Sequence, residues 1–245
     1  MRNKYLWLTN ISGILYTLNG VAGPVLSWMF VYSLKMEWAM GIATAVAGLS
    51  STPANLMTPW LVKKFGIRNT YIWCRFIQVA LFGVLALGVM QSSMIIYVLG
   101  ALLMSIFSTP ANALNKSYAS IVWDYQQYIS NERLDGFMGV FTYLSTPIGL
   151  LMGYILPFLL TRNGLTTDWD ILFDLSISKG IFIIHIVVAA ASVLLSAIPF
   201  LFFDLQEDGH NKIIEELRKR AQQEEASHQE EQSHKEAMST EPENA

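Results

Sequence analysis

The side chains able to do chemistry here are amides and a few ions set in long apolar runs: Asn19, Asn55, Asn112, Asn115, Arg75, Gln78 and His185. An amide in hydrocarbon has no water to satisfy it, so each asparagine is expected to face a bundle interior or an aqueous cavity. Two uses follow: binding a polar solute, or bonding to one another. The amides belong to longer polar series. Asn10, Gly13, Thr17, Gly20 and Pro24 recur at steps of three and four, as do Gly41, Thr44, Gly48, Ser51 and Asn55. Ser105, Ser108, Asn112 and Asn115 form a third series, and Thr142, Ser145, Gly149 and Gly153 a fourth. Such spacing puts each series on one helix face. Small residues there also let membrane helices approach closely.

The ions allow little else. Arg75 and Gln78 lie one turn apart, and Lys116 is placed to snorkel toward an interface. His185 is the one deep titratable group, a functional candidate by rule but also a candidate for a simple structural hydrogen bond. No Asp or Glu lies within an apolar run, so a cation site built on carboxylates is not visible. Intramembrane proteolysis needs a nucleophile and base on adjacent helices, and no Gly-x-Ser-Gly occurs. His-Glu-x-x-His and phosphate-loop motifs are missing as well, so the chain does not read as an enzyme. Cys74 is the single cysteine, and His210, His228 and His234 are too widely spaced for a metal site. No cofactor is implied. No basic patch interleaved with aromatics suggests nucleic acid.

These residues must be positioned by membrane helices. Of the 245 residues, 53% are hydrophobic and only 14% charged, with a mean hydropathy of +0.38; soluble domains carry about 25% charged residues. A span needs about 20 mostly apolar residues. Six stretches qualify: Leu6–Tyr32, Met40–Leu61, Tyr71–Met90, Met94–Leu114, Phe137–Leu160 and Ile181–Phe203. Residues 1–203 thus read as one all-α domain of six transmembrane helices, a multi-pass protein of the cell (inner or plasma) membrane with the lipid bilayer as its first partner. Placing the N-terminus inside puts Arg2, Lys4, Lys63, Lys64, Arg68, Arg75 and Arg133 in the cytoplasm and leaves Lys35, Arg162 and Lys179 outside. The predicted topology is N-in, C-in. The first run is too long for a signal peptide and is expected to stay as a helix. With that topology, the glycosylation matches at Asn10 and Asn115 fall in or beside spans and are chance.

Pro24, Pro53, Pro59, Pro110 and Pro147 sit inside the runs, where each removes a backbone hydrogen bond. Ser51-Thr52-Pro53-Ala54-Asn55 recurs as Ser108-Thr109-Pro110-Ala111-Asn112, echoed by Ser145-Thr146-Pro147. The echo pairs the second span with the fifth, as a 3+3 inverted repeat requires, but the fuller match to the fourth does not. It reads as a shared kink device.

Two loops carry the most specific pattern. The second-span loop reads Pro59-Trp60-Leu61-Val62-Lys63-Lys64-Phe65-Gly66-Ile67-Arg68, and the fourth-span loop runs from Trp123-Asp124-Tyr125 to Asn131-Glu132-Arg133-Leu134-Asp135-Gly136-Phe137. The latter resembles the Asp-Tyr…Arg-x-Glu/Asp-Gly stretch of the glycoside–pentoside–hexuronide:cation symporters, the melibiose-carrier-like branch of the major facilitator superfamily. The former resembles the superfamily's basic loop, with Lys63 where an acidic residue is usual. This resemblance implies that the chain is the C-terminal six-helix half of a twelve-helix carrier, with sugar held between halves. It implies a small-molecule solute, a sugar or glycoside, and a coupling ion, sodium or proton, left open. A separate N-terminal half or a second copy is implied as partner, supplying the acidic cation ligands. Carried over through the loop, Asn112 falls at a cavity-lining tryptophan position, Thr142 and Tyr143 at polar cavity positions, and Pro147 where a lysine sits near the sugar.

Candidate cavity residues are therefore Asn19, Asn55, Asn112, Asn115, Thr142 and Tyr143. Lys63, Lys64, Arg68, Asp124, Glu132, Arg133 and Asp135 are candidates for a cytoplasmic ionic gate, or else solvated charges that fix topology. Exposed pairs are worth about 0–1 kcal/mol each, so a gate needs several together. The alternatives are a noncatalytic membrane scaffold or a nonfunctional truncated fragment. Residues 204–245 form a charged cytoplasmic tail, with a short amphipathic helix at Ile213–Gln223 followed by disorder.

Overall fold

The computed structural model describes residues 3–21, 29–33, 35, 37–131, 143, 146–147, 150–151, 153–162, 170, 173–205 and 207–239. Every regular element among them is a helix. The α-helices are α1 (Lys4–Thr17), α2 (Glu37–Phe65), α3 (Ile67–Met90), α4 (Met94–Ser130), α5 (Ile155–Arg162), α6 (Leu175–Leu201) and α7 (Glu207–Ser239). Three described helices, α3, α4 and α6, are long and apolar enough to cross a membrane. With 29 residues α2 has the length, but its Thr44–Gly48–Ser51–Asn55 series dilutes its apolarity.

Large apolar side chains are exposed while several polar ones are buried. Leu49, Leu56, Trp73 and Ile95 are 77%, 78%, 64% and 73% exposed, while Arg75, Gln78, His185, Ser178, Ser192 and Ser196 are buried. Exposed apolar faces together with buried polar groups suit a hydrocarbon solvent, where backbone and side-chain polar groups must be satisfied inside. At the α1–α6 seam, Ser12 Oγ donates to Ser196 O at 2.6 Å and Ser192 Oγ to Leu15 O at 2.5 Å. Hydroxyls bonding across membrane helices contribute about 0.6–2 kcal/mol each.

Packing links the helices in the series α2–α4–α3–α6–α1. The turns fix this order. Gly66 adopts φ +79, a left-handed conformation that favours glycine, and lets α3 start directly after α2. Its carbonyl accepts from Thr70 Oγ1 at 2.8 Å. Between α3 and α4, Lys179 Nζ donates to Met90 O at 2.8 Å and Ser92 Oγ at 2.9 Å, putting a cation at the end of α3 where the helix dipole favours it. At the opposite end of the bundle, Asn3 caps α1 and donates through Nδ2 to Gln126 Oε1 of α4 at 3.1 Å. Lys4 Nζ meets Asp204 Oδ2 at 2.6 Å, so the start of α1 and the end of α6 share that end.

Three elements differ from the sequence-based expectation. The first apolar run is not one helix: α1 stops at Thr17, a 3-10 turn covers Leu18–Val21, and a π turn covers Met29–Ser33. Asn19 and Gly20 are poor helix formers, and Thr17 Oγ1 bonds back to Gly13 O at 3.0 Å. The Trp123–Ser130 stretch, expected as loop, continues α4 until Asn131 ends it in the left-handed conformation, φ 57. The tail helix runs from Glu207 to Ser239 rather than stopping near Gln223. Its Glu-, Gln-, Lys-, Arg- and Ala-rich sequence consists of good helix formers, with ion pairs Glu215–Lys219 (2.9 Å) and Glu216–Arg220 (3.8 Å) at i,i+4. Eleven of the 24 residues of the expected fifth span, 137–160, and residues 240–245 of the tail lie outside the described residues.

Candidate functional site

Two apolar clusters occupy the interior. One gathers Phe82, Leu85, Val89, Tyr97, Phe182 and Ile186 near the Lys179 end. The other gathers Tyr5, Tyr71, Tyr118, Val122, Phe200 and Phe203 near the Asp204 end. Between them along α3 lies a polar layer centred on Arg75, eight residues into the helix, about 12 Å from its start.

Arg75 is fully buried. Its Nη1 donates to Gln78 Oε1 at 3.1 Å, and its Nη2 to Asn112 Oδ1 of α4 at 3.3 Å. Gln78 in turn donates to Phe107 O at 3.2 Å. The guanidinium carbon lies over the rings of Tyr16 and Tyr71, at 4.1 and 5.0 Å from their centroids. Thus α1, α3 and α4 each contribute to holding one charge. The partners are neutral: among the described residues no carboxylate pairs with Arg75, and its Nε has no hydrogen-bond partner. Inserting an arginine at a membrane helix centre costs about 2.5–3.5 kcal/mol on translocon scales. Stacking on two tyrosines returns about 0.5–2 kcal/mol per ring.

His185 is buried on α6 with Nδ1 2.8 Å from Ile181 O, which requires the ring proton on Nδ1. Its Nε2 has no partner among the described residues, nor has the Tyr118 hydroxyl. The structural hydrogen bond considered from sequence is present at His185.

The candidate cavity residues scatter. Asn19 and Asn115 are half-buried, and Asn55, Asn112 and Tyr143 are exposed. Thr142 lies outside the described residues. Only Asn112 is brought into the polar layer, and no hydrogen bond among the described residues joins these asparagines to one another. Thr44, Gly48, Thr52 and Asn55 instead form an exposed polar face of α2. Elsewhere, Leu61, Phe65, Thr70, Trp73, Cys74, Ile77 and Phe107 line an open groove of about 250 Å³. That groove suits an acyl chain rather than a polyol.

The gate candidates also part company. Arg68 donates through Nε to Phe200 O at 3.1 Å and through Nη2 to Leu201 O, capping the end of α6. Lys64 lies 5.2 Å over the Trp60 ring and 5.3 Å over that of Phe65, and Lys63 is exposed. Asp124 pairs with His210 of the tail at 2.8 Å. Among the described residues no ion pair joins Lys63, Lys64 or Arg68 to Asp124. Glu132, Arg133 and Asp135 lie outside the described residues. Sequence reasoning missed His210 and Tyr16, which sit 86 positions from Asp124 and 59 from Arg75 along the chain. No local pattern marks either pairing.

No protein-family model matches this chain, and neither curated proteins nor solved structures give a match. The class defined by fold and composition is an all-helical chain with three described helices fit to cross a membrane.

Proposed function

We propose that this chain is a six-helix half of a secondary carrier, similar to the C-terminal half of melibiose-type symporters, that moves a sugar or glycoside across the cell membrane by alternating access against a second six-helix bundle. The observation carrying this reading is the exposed polar face of α2, Thr44, Gly48, Thr52 and Asn55, together with exposed Asn112 on α4. Lipid cannot satisfy Asn55, so that face calls for a water-filled cavity or a second bundle. The packing also supports the reading. Exchanging spans one to three with four to six turns the α1–α6 contact into α4–α3, and both contacts are extensive. The basic residues Lys4, Lys63, Lys64 and Arg68 gather at the end carrying the tail, which favours that end as cytoplasmic.

The test is gradient-driven uptake of labelled sugars into proteoliposomes, with the chain alone and combined with a six-helix first half, under sodium and under proton gradients. Uptake that disappears in Asn55→Leu/Asn112→Leu supports the carrier. A chain that associates with no second bundle and takes up no sugar in any arm is a scaffold, and the carrier reading fails.

A further inference from the structure

From the surroundings of Arg75 we infer an oxyanion site: its Nε–Nη2 edge takes a carboxylate or phosphate group that enters past Asn112. The inference stands on the guanidinium's own contacts and does not depend on the carrier reading.

The guanidinium carbon lies over the rings of Tyr16 and Tyr71, and its N–H groups find their hydrogen bonds elsewhere. One edge is engaged inward, through Nη1 to Gln78. The other, formed by Nε and Nη2, is the edge that matches both oxygens of a carboxylate or phosphate. Here it is half filled. Nη2 has one long bond, 3.3 Å, to the neutral Asn112 Oδ1, and Nε has no partner among the described residues although Arg75 is fully buried.

A buried charge with neutral partners and an open donor is an incomplete pair. Asn112 is the exposed member of the group and accepts from Nη2 of that edge. A turn of its side chain frees Nη2 without disturbing the buried packing, so an entering oxyanion replaces one neutral acceptor by two charged ones. The Thr70–Cys74 groove on the other side of α3 is apolar and offers no competing anion partner.

The experiment follows thermal unfolding of the purified full chain at constant ionic strength, with chloride replaced by acetate or by inorganic phosphate. A second arm adds phosphatidylglycerol to the micelles in chloride. A saturable rise in Tm of about 2–5 °C is expected. Response to acetate or phosphate identifies a solute oxyanion; response to phosphatidylglycerol alone identifies a lipid headgroup. Arg75→Gln is expected to abolish the response. Because that variant disturbs a buried cluster, Asn112→Asp supplies the decisive arm: its own carboxylate occupies the edge, raising Tm in chloride and abolishing the response to added oxyanion. The inference is overturned if no oxyanion stabilises the chain beyond chloride, or if Asn112→Asp responds as the wild type does.

Discussion

His210 Nε2 lies 2.8 Å from Asp124 Oδ2 and thereby pins the tail helix to the part of α4 that runs beyond its apolar stretch. The attachment is more than one bond. Arg220 donates to Tyr128 O at 3.1 Å, lies 5.0 Å over the Tyr128 ring, and Ile213 between them is buried.

Asp124→Asn should therefore loosen the tail without unfolding the bundle. Amide exchange across residues 210–220 is expected to quicken about two- to tenfold, as loss of one polar contact of about 0.5–1.5 kcal/mol requires. Protection within α3 should not change. Equal loosening of both segments would show that the tail and bundle unfold as one unit.

Gly88 faces the next helix at close range: a Cβ there would stand 2.8 Å from Tyr97 N and 3.0 Å from Tyr97 Cα. Backbone cannot yield as a flexible side chain does. Gly88→Ala should destabilise the α3–α4 hairpin by about 1–3 kcal/mol. Gly83→Ala meets nothing within 4 Å and serves as the control. Matched Tm values for the two variants would disprove the close approach.

The Lys4–Asp204 junction gives a pH dependence of known sign. The hydrogen bond from Lys4, then that from Tyr5, holds the Asp204 carboxyl below its ordinary value. A depressed folded-state value stabilises above the unfolded value, about pH 4, and the stabilisation is lost as pH falls through the folded one. Asp204 is 61% exposed, so the effect is small, about 0–1 kcal/mol. The wild type and Asp204→Asn should differ in Tm at pH 7, and the difference should shrink as pH falls below about 4. A difference that does not change with pH in the acid range would assign Asp204 a role other than its charge.

Topology is checked by labelling cysteines with an impermeant maleimide in a Cys74→Ala background. Lys35→Cys should label from outside intact cells, whereas Lys63→Cys should label only after permeabilisation. Labelling of both from outside would contradict the N-in arrangement.

Helices α3, α4 and α6 were legible because each contains an apolar run of about 20 residues, although α3 and α6 begin at Ile67 and Leu175, ahead of the expected Tyr71 and Ile181. The continuation of α4 through Ser130 was expected as loop because polar and charged residues interrupt the apolar run, although Tyr118, Ile121, Val122 and Tyr125 stand at helical spacing. Its order comes from distant partners, Asn3 on Gln126 and His210 on Asp124. Arg75 with Gln78 could be read as a one-turn pair. Their union with Asn112 and Tyr16 required the fold, because 37 residues separate Arg75 from Asn112.

The 37 residues of α4 make a rod of about 55 Å, against a hydrocarbon thickness of about 30 Å. Its near part holds Asn112 beside the buried guanidinium, and its far part holds Asp124 under the tail helix. Both lie on the part of α4 that follows Pro110, so about 18 Å of continuous helix joins the neighbour of the guanidinium to the anchor of the tail. Any tilt that follows rearrangement at Arg75 is magnified at the distal end, where a tether on α7 would register it as mechanical displacement.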